Sequence, residues 1–226
     1  MMLYVTGDVH IPIDIQKLNC KMFAEQKDMT KDDYVIICGD FGGVWRGSNE
    51  EKYWLEWLND KNFTTLFVDG NHENFHMLYE YPVENFNGGK THRIRQKIYH
   101  LMRGQIFELC GKKIFTMGGA ASTDRAYRVK GLSWWEEELP SAEEYEQAVD
   151  NLTRCGYSVD YVITHCIFNT IQRTISDIYK ENELTDFLEK IHNELLYKKW
   201  FFGHYHTDME FDERHMCLYN KILRVE

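Results

Sequence analysis

Seven residues of this chain have side chains suited to holding a divalent cation, and they fall in five short blocks: Asp8 and His10 in TGDVH, Asp40 in CGDFGG, Asn71 in DGNHEN, His165 in THC, and His204 and His206 in GHYH. One block alone says little. A Gly-Asp after an apolar run is usually a turn, and an H-x-H pair is most often solvated. On a strand, however, residues two apart share a face, so His204 and His206 are expected to aim two imidazoles at one point while Tyr205 turns away. Seven ligands exceed the roughly three that a catalytic zinc takes from a protein. They suit two ions that share a bridging carboxylate. Carboxylate, amide oxygen and imidazole without thiolate favour Mn, Fe or Zn. Two such ions against two aspartates leave a formally positive pocket in an acidic chain.

The elements that must position these groups are strands. MLYVT (2–6), YVIIC (34–38), TTLFV (64–68), KIFTM (113–117), YVIT (161–164) and KWFF (199–202) are apolar runs of strand length. Helical patterns lie between them near 15–27, 50–60, 141–154 and 181–196. The last is the clearest, with Leu184, Phe187, Leu188, Ile191 and Leu195 on one face. Alternating strands and helices predict an α/β fold with helices over the sheet. In such folds ligand sites gather beyond the carboxyl ends of strands, where all five blocks stand.

At 226 residues, with three prolines and no repeat or low-complexity segment, the chain reads as one domain over 1–226. No apolar run approaches the ~18–20 residues that span a bilayer, and the first residues, MMLYVTGDVH, read as a strand rather than a secretory signal. A cytoplasmic protein is expected. Six cysteines without C-x-x-C spacing are expected to be reduced core residues. A net charge of −10 argues against generic nucleic-acid binding and against an anionic membrane surface.

D-x-H, G-D-x-G-G, G-N-H-E, a later histidine and G-H-x-H, in that order from Asp8 to His206, resemble the calcineurin-like metallophosphoesterase superfamily. The resemblance implies a four-layer αββα sandwich with a dinuclear metal site at the carboxyl ends of the strands. It assigns Asp8, His10, Asp40 and His206 to one ion and Asp40, Asn71, His165 and His204 to the other, with Asp40 bridging. It implies two divalent ions that activate a water for in-line attack on a phosphoester. His72 matches the family's general acid, and Asp69 is a candidate to orient it. After the second block, where many relatives carry an Asp or an Asp-Arg pair, this chain has Gly43 and Val44. Arg46, Arg125 and Arg128 are therefore candidates for substrate binding.

Two rival readings compete. HENFH, His72 to His76, also fits H-E-x-x-H, in which two histidines on a helix bind zinc and a glutamate acts as base; a strand and turn immediately before it argue against that helix. A binding scaffold that keeps the fold without turnover is the other, but no ligand is missing. The aromatic segment 118–141, with adjacent Trp134 and Trp135, is either a flap over the site or a packed surface loop. His76, His92, His100, His192 and His215 lie outside the five blocks and are expected to be ordinary histidines. A small phosphoester is the expected substrate, with nucleotides and phosphoproteins left open.

Overall fold

The computed structural model describes residues 1–225. Two sheets carry the fold. The first holds β1 (Leu3–Thr6), β2 (Tyr34–Ile37), β3 (Thr64–Phe67), β4 (Val83–Phe86), β5 (Gly89–Arg95), β6 (Ile98–Leu101) and the late β13 (Ile222–Val225), in the order β13-β1-β2-β3-β6-β5-β4. The second holds β7 (Gln105–Leu109), β8 (Lys112–Met117), β9 (Tyr161–Thr164), β10 (Lys199–Phe202), β11 (Met209–Glu210) and β12 (His215–Cys217), in the order β11-β12-β10-β9-β8-β7. In each sheet the central strands are parallel: β1 with β2, β2 with β3 and β3 with β6, then β8 with β9, β9 with β10 and β10 with β12. Strands β1, β3 and β9 are buried along their whole length, as expected for parallel strands covered on both faces.

Strand alternation sorts the core into three clusters. Leu3 and Val5 of β1 join Ile36, Leu66, Ile114, Ile163 and Phe201, which come from both sheets. Tyr4 turns the other way and joins Val35, Ile37 and Phe67 with Leu55 and Leu58 of α1 (Asn49–Asn59). Phe115, Val162, Trp200 and Phe202 pack on Ala148 and Leu152 of α3 (Ala142–Arg154) and on Leu184, Leu188 and Ile191 of α5 (Glu183–Glu194). Between these lie the short helices α2 (Phe75–Leu78) and α4 (Asn169–Ile175). Caps fix the longer helices. Ser48 starts α1, and capping boxes at Ser141–Glu144 and Asn182–Thr185 start α3 and α5.

The expected helix over 15–27 is instead two 3₁₀ turns, Ile15–Leu18 and Ala24–Asp28. Asn19 explains the break: its backbone is extended and its side chain accepts from the Lys21 and Met22 amides at 2.8 and 2.9 Å, which draws the chain into a local turn. The strands β4 to β7 escaped the apolar pattern. β4 alternates between exposed and half-buried residues, and its hairpin to β5 turns on Asn87 and Gly88, both at positive φ. All six cysteines are free; Cys38, Cys166 and Cys217 are buried, whereas Cys20 is exposed rather than in the core. Among the described residues no helix is long and apolar enough to cross a membrane.

Candidate metal centre

The polar blocks follow the carboxyl ends of β1, β2, β3, β9 and β10, and hydrogen bonds knit their loops together. The amides of Val9 and His10 both donate to the Asp40 carbonyl, at 3.2 and 2.8 Å, and the Gly203 amide donates to the His165 carbonyl at 2.9 Å. Side chains then lie directly over backbone. A Cβ at Gly70 would stand 2.0 Å from Asp40 Oδ1, and one at Gly203 would stand 2.1 Å from Asp8 Oδ1, so only glycine permits these approaches. His10, Asp40, His204 and His206 themselves have φ of 33°, 46°, 68° and 48°, in the left-handed region that L side chains avoid. This corrects the expectation for GHYH. Its histidines lie in the loop beyond β10, and left-handed backbone rather than strand alternation aims them.

Asp8, His10, Asp40 and His206 offer donor atoms that all lie within 4.8 Å of one another. His10 Nε2 is 3.1 Å from Asp40 Oδ2, and His206 Nε2 is 3.1 Å from Asp8 Oδ2. That Asp8 oxygen is buried and, the His206 imidazole apart, meets no hydrogen-bond donor among the described residues. A lone pair left so, among imidazoles and a second buried carboxylate, fits a cation. On the other side of Asp40, Oδ1 lies 3.3 Å from His165 Nε2, which is also 3.3 Å from Asn71 Oδ1; the His204 ring packs 4.9 Å from that of His165. Asp40 therefore faces both groups.

The ring orientations suit nitrogen ligation. His165 Nδ1 lies 2.7 Å from the Cys38 carbonyl, so in the neutral ring the proton sits on Nδ1 and Nε2, toward Asp40, is the nitrogen left for ligation. His10 Nδ1 bonds Asp14 Oδ2 at 2.7 Å in the same manner. Burial alone would push His165 down, but the Asp40 and Asp8 carboxylates outweigh it and raise this imidazole to about 10. His10 rises to about 9 against burial, through Asp40. Asp40 is held well below the usual carboxylate range although burial opposes this, because His165 and His10 face it. His204 behaves oppositely: burial, then His165, lowers it to about 3, so it presents a free lone pair.

His72 stands at the edge of this group. Its amide donates to Asp40 Oδ1 at 2.8 Å, and its ring meets that of His10 edge-on at 5.6 Å. Burial lowers its pKa; Asp40 pulls the other way, and Arg128 adds to the lowering. The Arg128 guanidinium nitrogens lie 3.0 Å from His72 Nε2 and 3.3 Å from Nδ1. Of the three candidate arginines only this one reaches the group. Arg46 is exposed and lines a cleft of about 450 Å³ with His10, Ile11, Trp45 and His72. Arg125 pairs with Glu138, lies over the Trp134 ring, and faces a different cleft of about 620 Å³. Of these two clefts the smaller is the one that His10 and His72 line.

Asp69 does not orient His72. Its carboxylate is buried, accepts from Arg103 Nη2 at 2.6 Å and Nε at 2.9 Å, and bonds His100 Nε2 at 3.0 Å. Arg103 continues to Glu144 in the first turn of α3 at 3.1 Å, so Asp69 braces the loop after β3 from behind. The zinc-protease reading of HENFH also fails. α2 begins only at Phe75 and spans four residues, while His76 is 64 % exposed and pairs with Glu137. Glu73 is buried under the second block, where it accepts from the Phe41 amide at 2.7 Å.

Sequence reasoning missed several supports. Asp14 had a local signal, four residues after His10. Lys17 is buried beneath the first block and donates to the carbonyls of Gly7 at 3.1 Å, Asp8 at 2.5 Å and Tyr219. His100 and Arg103 had no signal, because their partner Asp69 is more than thirty residues away. In segment 118–141 Trp135 is buried and meets Trp45 edge-on at 5.1 Å, while Arg128 extends to His72; the segment both packs and reaches the group. No curated protein matches the chain. The family profile described as calcineurin-like phosphoesterase matches residues 1–208, nearly the whole chain and all five ligand blocks, and the protein belongs to that family of phosphoester hydrolases.

Proposed function

We propose that this protein hydrolyses a small phosphomonoester or phosphodiester at a centre of two divalent ions, Mn, Fe or Zn. Asp8, His10, Asp40 and His206 hold one ion, and Asp40, Asn71, His165 and His204 hold the other. The observation that carries this reading is the convergence of donors from Asp8, His10, Asp40 and His206 within 4.8 Å of one another, with the buried Asp8 Oδ2 meeting no donor but the His206 imidazole and Asp40 turned toward both groups. The three apolar clusters support the four-layer αββα sandwich that sets such a centre at the sheet ends.

Bound ions supply Lewis acidity and an activated water. The chain's own residues do the rest. Arg128 neutralises phosphoryl charge, and as its guanidinium turns toward the substrate it releases the His72 ring. With the guanidinium charge gone, Asp40 favours the protonated His72 ring, which donates its proton to the departing oxygen. The cleft of about 450 Å³ beside His10 and His72, with the Trp45 indole and the exposed Ile13 on its walls, takes the leaving group.

The test is elemental analysis of gently purified protein, followed by stripping, metal add-back and rates on a panel of mono- and diesters. Close to two ions per chain and metal-restored hydrolysis are expected. One saturable ion, or full activity in a strong chelator, would overturn the two-ion reading. Two ions without turnover of any ester would favour the non-catalytic scaffold.

A further inference from the structure

We propose that Ser122 and Glu138 are positioning residues for Asn71, and that they select which end of its amide faces the second ion. This rests on the two-ion reading above. An asparagine amide has two ends of nearly equal shape, but only its oxygen can ligate a cation, because the NH₂ group has no lone pair to offer. Nothing in the backbone chooses between them. The choice falls to whatever touches the far end.

That contact is Ser122. Asn71 is buried, and its Nδ2 lies 3.1 Å from Ser122 Oγ. A serine hydroxyl has a single hydrogen and two acceptor lone pairs, so its preference depends on where that hydrogen goes. Here it goes to Glu138. Ser122 Oγ donates to Glu138 Oε2 at 2.6 Å, and the Ser122 amide donates to Oε1 at 3.2 Å. The Glu138 side chain is fully buried and surrounded by donors: Trp134 Nε1 at 2.7 Å and the Arg125 guanidinium also give hydrogen bonds to it. A carboxylate in that company accepts only. The hydroxyl hydrogen is therefore committed, and toward Asn71 Ser122 can act only as acceptor. An acceptor there demands the NH₂ end, which turns Oδ1 to His165 Nε2 at 3.3 Å, where the second ligand group converges.

Segment 118–141 gains a role from this. It returns on itself through Glu138, whose carbonyl also accepts from the Ala120 amide at 3.1 Å. Its two ends thus form a fixed polar support behind Asn71. Glu138 is fully buried and its Oε1 is filled by Trp134 and Arg125, so water, which would otherwise supply the carboxylate with other donors, does not compete with the hydroxyl.

The test is calorimetric titration of metal-stripped full-length protein with Mn²⁺. In the unaltered protein two ions bind. Ser122→Ala should weaken the second by about 10- to 100-fold, the range usual for outer-shell partners of a metal ligand, and leave the first unchanged. Ser122→Thr keeps the hydroxyl and should restore the affinity. Asn71→Asp supplies the discriminating background, because its two carboxylate oxygens are equivalent and no orientation remains to be chosen. Adding Ser122→Ala to it should cost the second ion nothing further, whereas a merely structural serine would cost the same in both backgrounds. Glu138→Gln can donate where the carboxylate only accepts; it should produce the same selective loss if Ser122→Ala does not fold. Unchanged affinity in Ser122→Ala, or an equal loss in the Asn71→Asp background, overturns the proposal. A single ion in the unaltered protein overturns the centre itself and is a separate result.

Discussion

Asp14 Oδ2 lies 2.7 Å from His10 Nδ1, and the opposite carboxylate oxygen accepts from the Tyr219 hydroxyl at 3.1 Å. Tyr219 in turn stacks on His206 at 4.9 Å, so one outer aspartate steadies two ligands of the same group. Asp14→Asn should lower first-ion affinity by about 10- to 100-fold while the second ion binds as before. Competition against a chromogenic chelator measures this. Equal loss at both ions would place the effect in the whole loop rather than in His10.

Asp40→Asn should abolish hydrolysis and weaken both ions together, because Oδ2 faces His10 and Oδ1 faces His165. Glu73→Gln should be far milder. Burial, with Asp40 nearby, raises the Glu73 carboxyl to about 8, so near neutrality it resembles the amide that replaces it. A stability cost of about 1 kcal/mol is expected, the usual worth of one imperfect hydrogen bond. Metal content and ester hydrolysis of the two variants decide the matter; an essential Glu73 beside a dispensable Asp40 would reverse the assignment.

His72→Ala should retain both ions and lose about 10²- to 10⁴-fold on alkyl esters, the range of general acid catalysis. An activated nitrophenyl ester needs no proton on its leaving oxygen, and its loss should be clearly smaller. Equal losses on both esters with full metal content would leave His72 as a phosphate-positioning group beside Arg128.

Stability should fall in mild acid through His92. Its Nδ1 lies 3.0 Å from His100 Nδ1, and burial followed by the His100 charge lowers it from 6.5 to about 4. Below 6.5 the unfolded chain takes up a proton that the folded chain excludes, so this contribution is complete above that pH and is lost as the pH falls toward 4. The loss between about pH 7 and about pH 5 is roughly 1 to 2 kcal/mol. Urea denaturation at both pH values, compared with His92→Gln, isolates it. An equal acid loss in the variant would show that other groups carry the effect.

The polar blocks were legible because each is a contiguous run behind an apolar strand, and β1, β2, β3, β8, β9 and β10 were legible because burial makes them largely apolar, whereas β6 and β12, parallel as well, carry His100 and His215 and were not. What escaped was relational. Asp69 reads as a turn residue until His100 arrives from β6 and Arg103 from the turn that follows it, both far along the chain. Ser122 sits in irregular backbone and Glu138 ends a three-residue 3₁₀ turn, Glu136–Glu138, neither long enough to show a period, and their importance depends on the direction of one hydroxyl hydrogen. The polar hairpin of β4 and β5 hid in the same way: its signal was the turn pair Asn87-Gly88, not its hydrophobicity.

The left-handed backbone at His10, Asp40, His204 and His206 has a consequence for anyone who engineers this protein. Each such residue stores about 1 to 2 kcal/mol that glycine would release. A redesign scored on thermostability alone would therefore be drawn to these four positions as readily as to Asn87, Cys110 and Tyr157, the other non-glycine residues at positive φ, with nothing in its score to protect the four metal-donor side chains. Stability and competence are opposed at the same four Cα atoms, so any selection for robustness must carry a metal-binding readout alongside it.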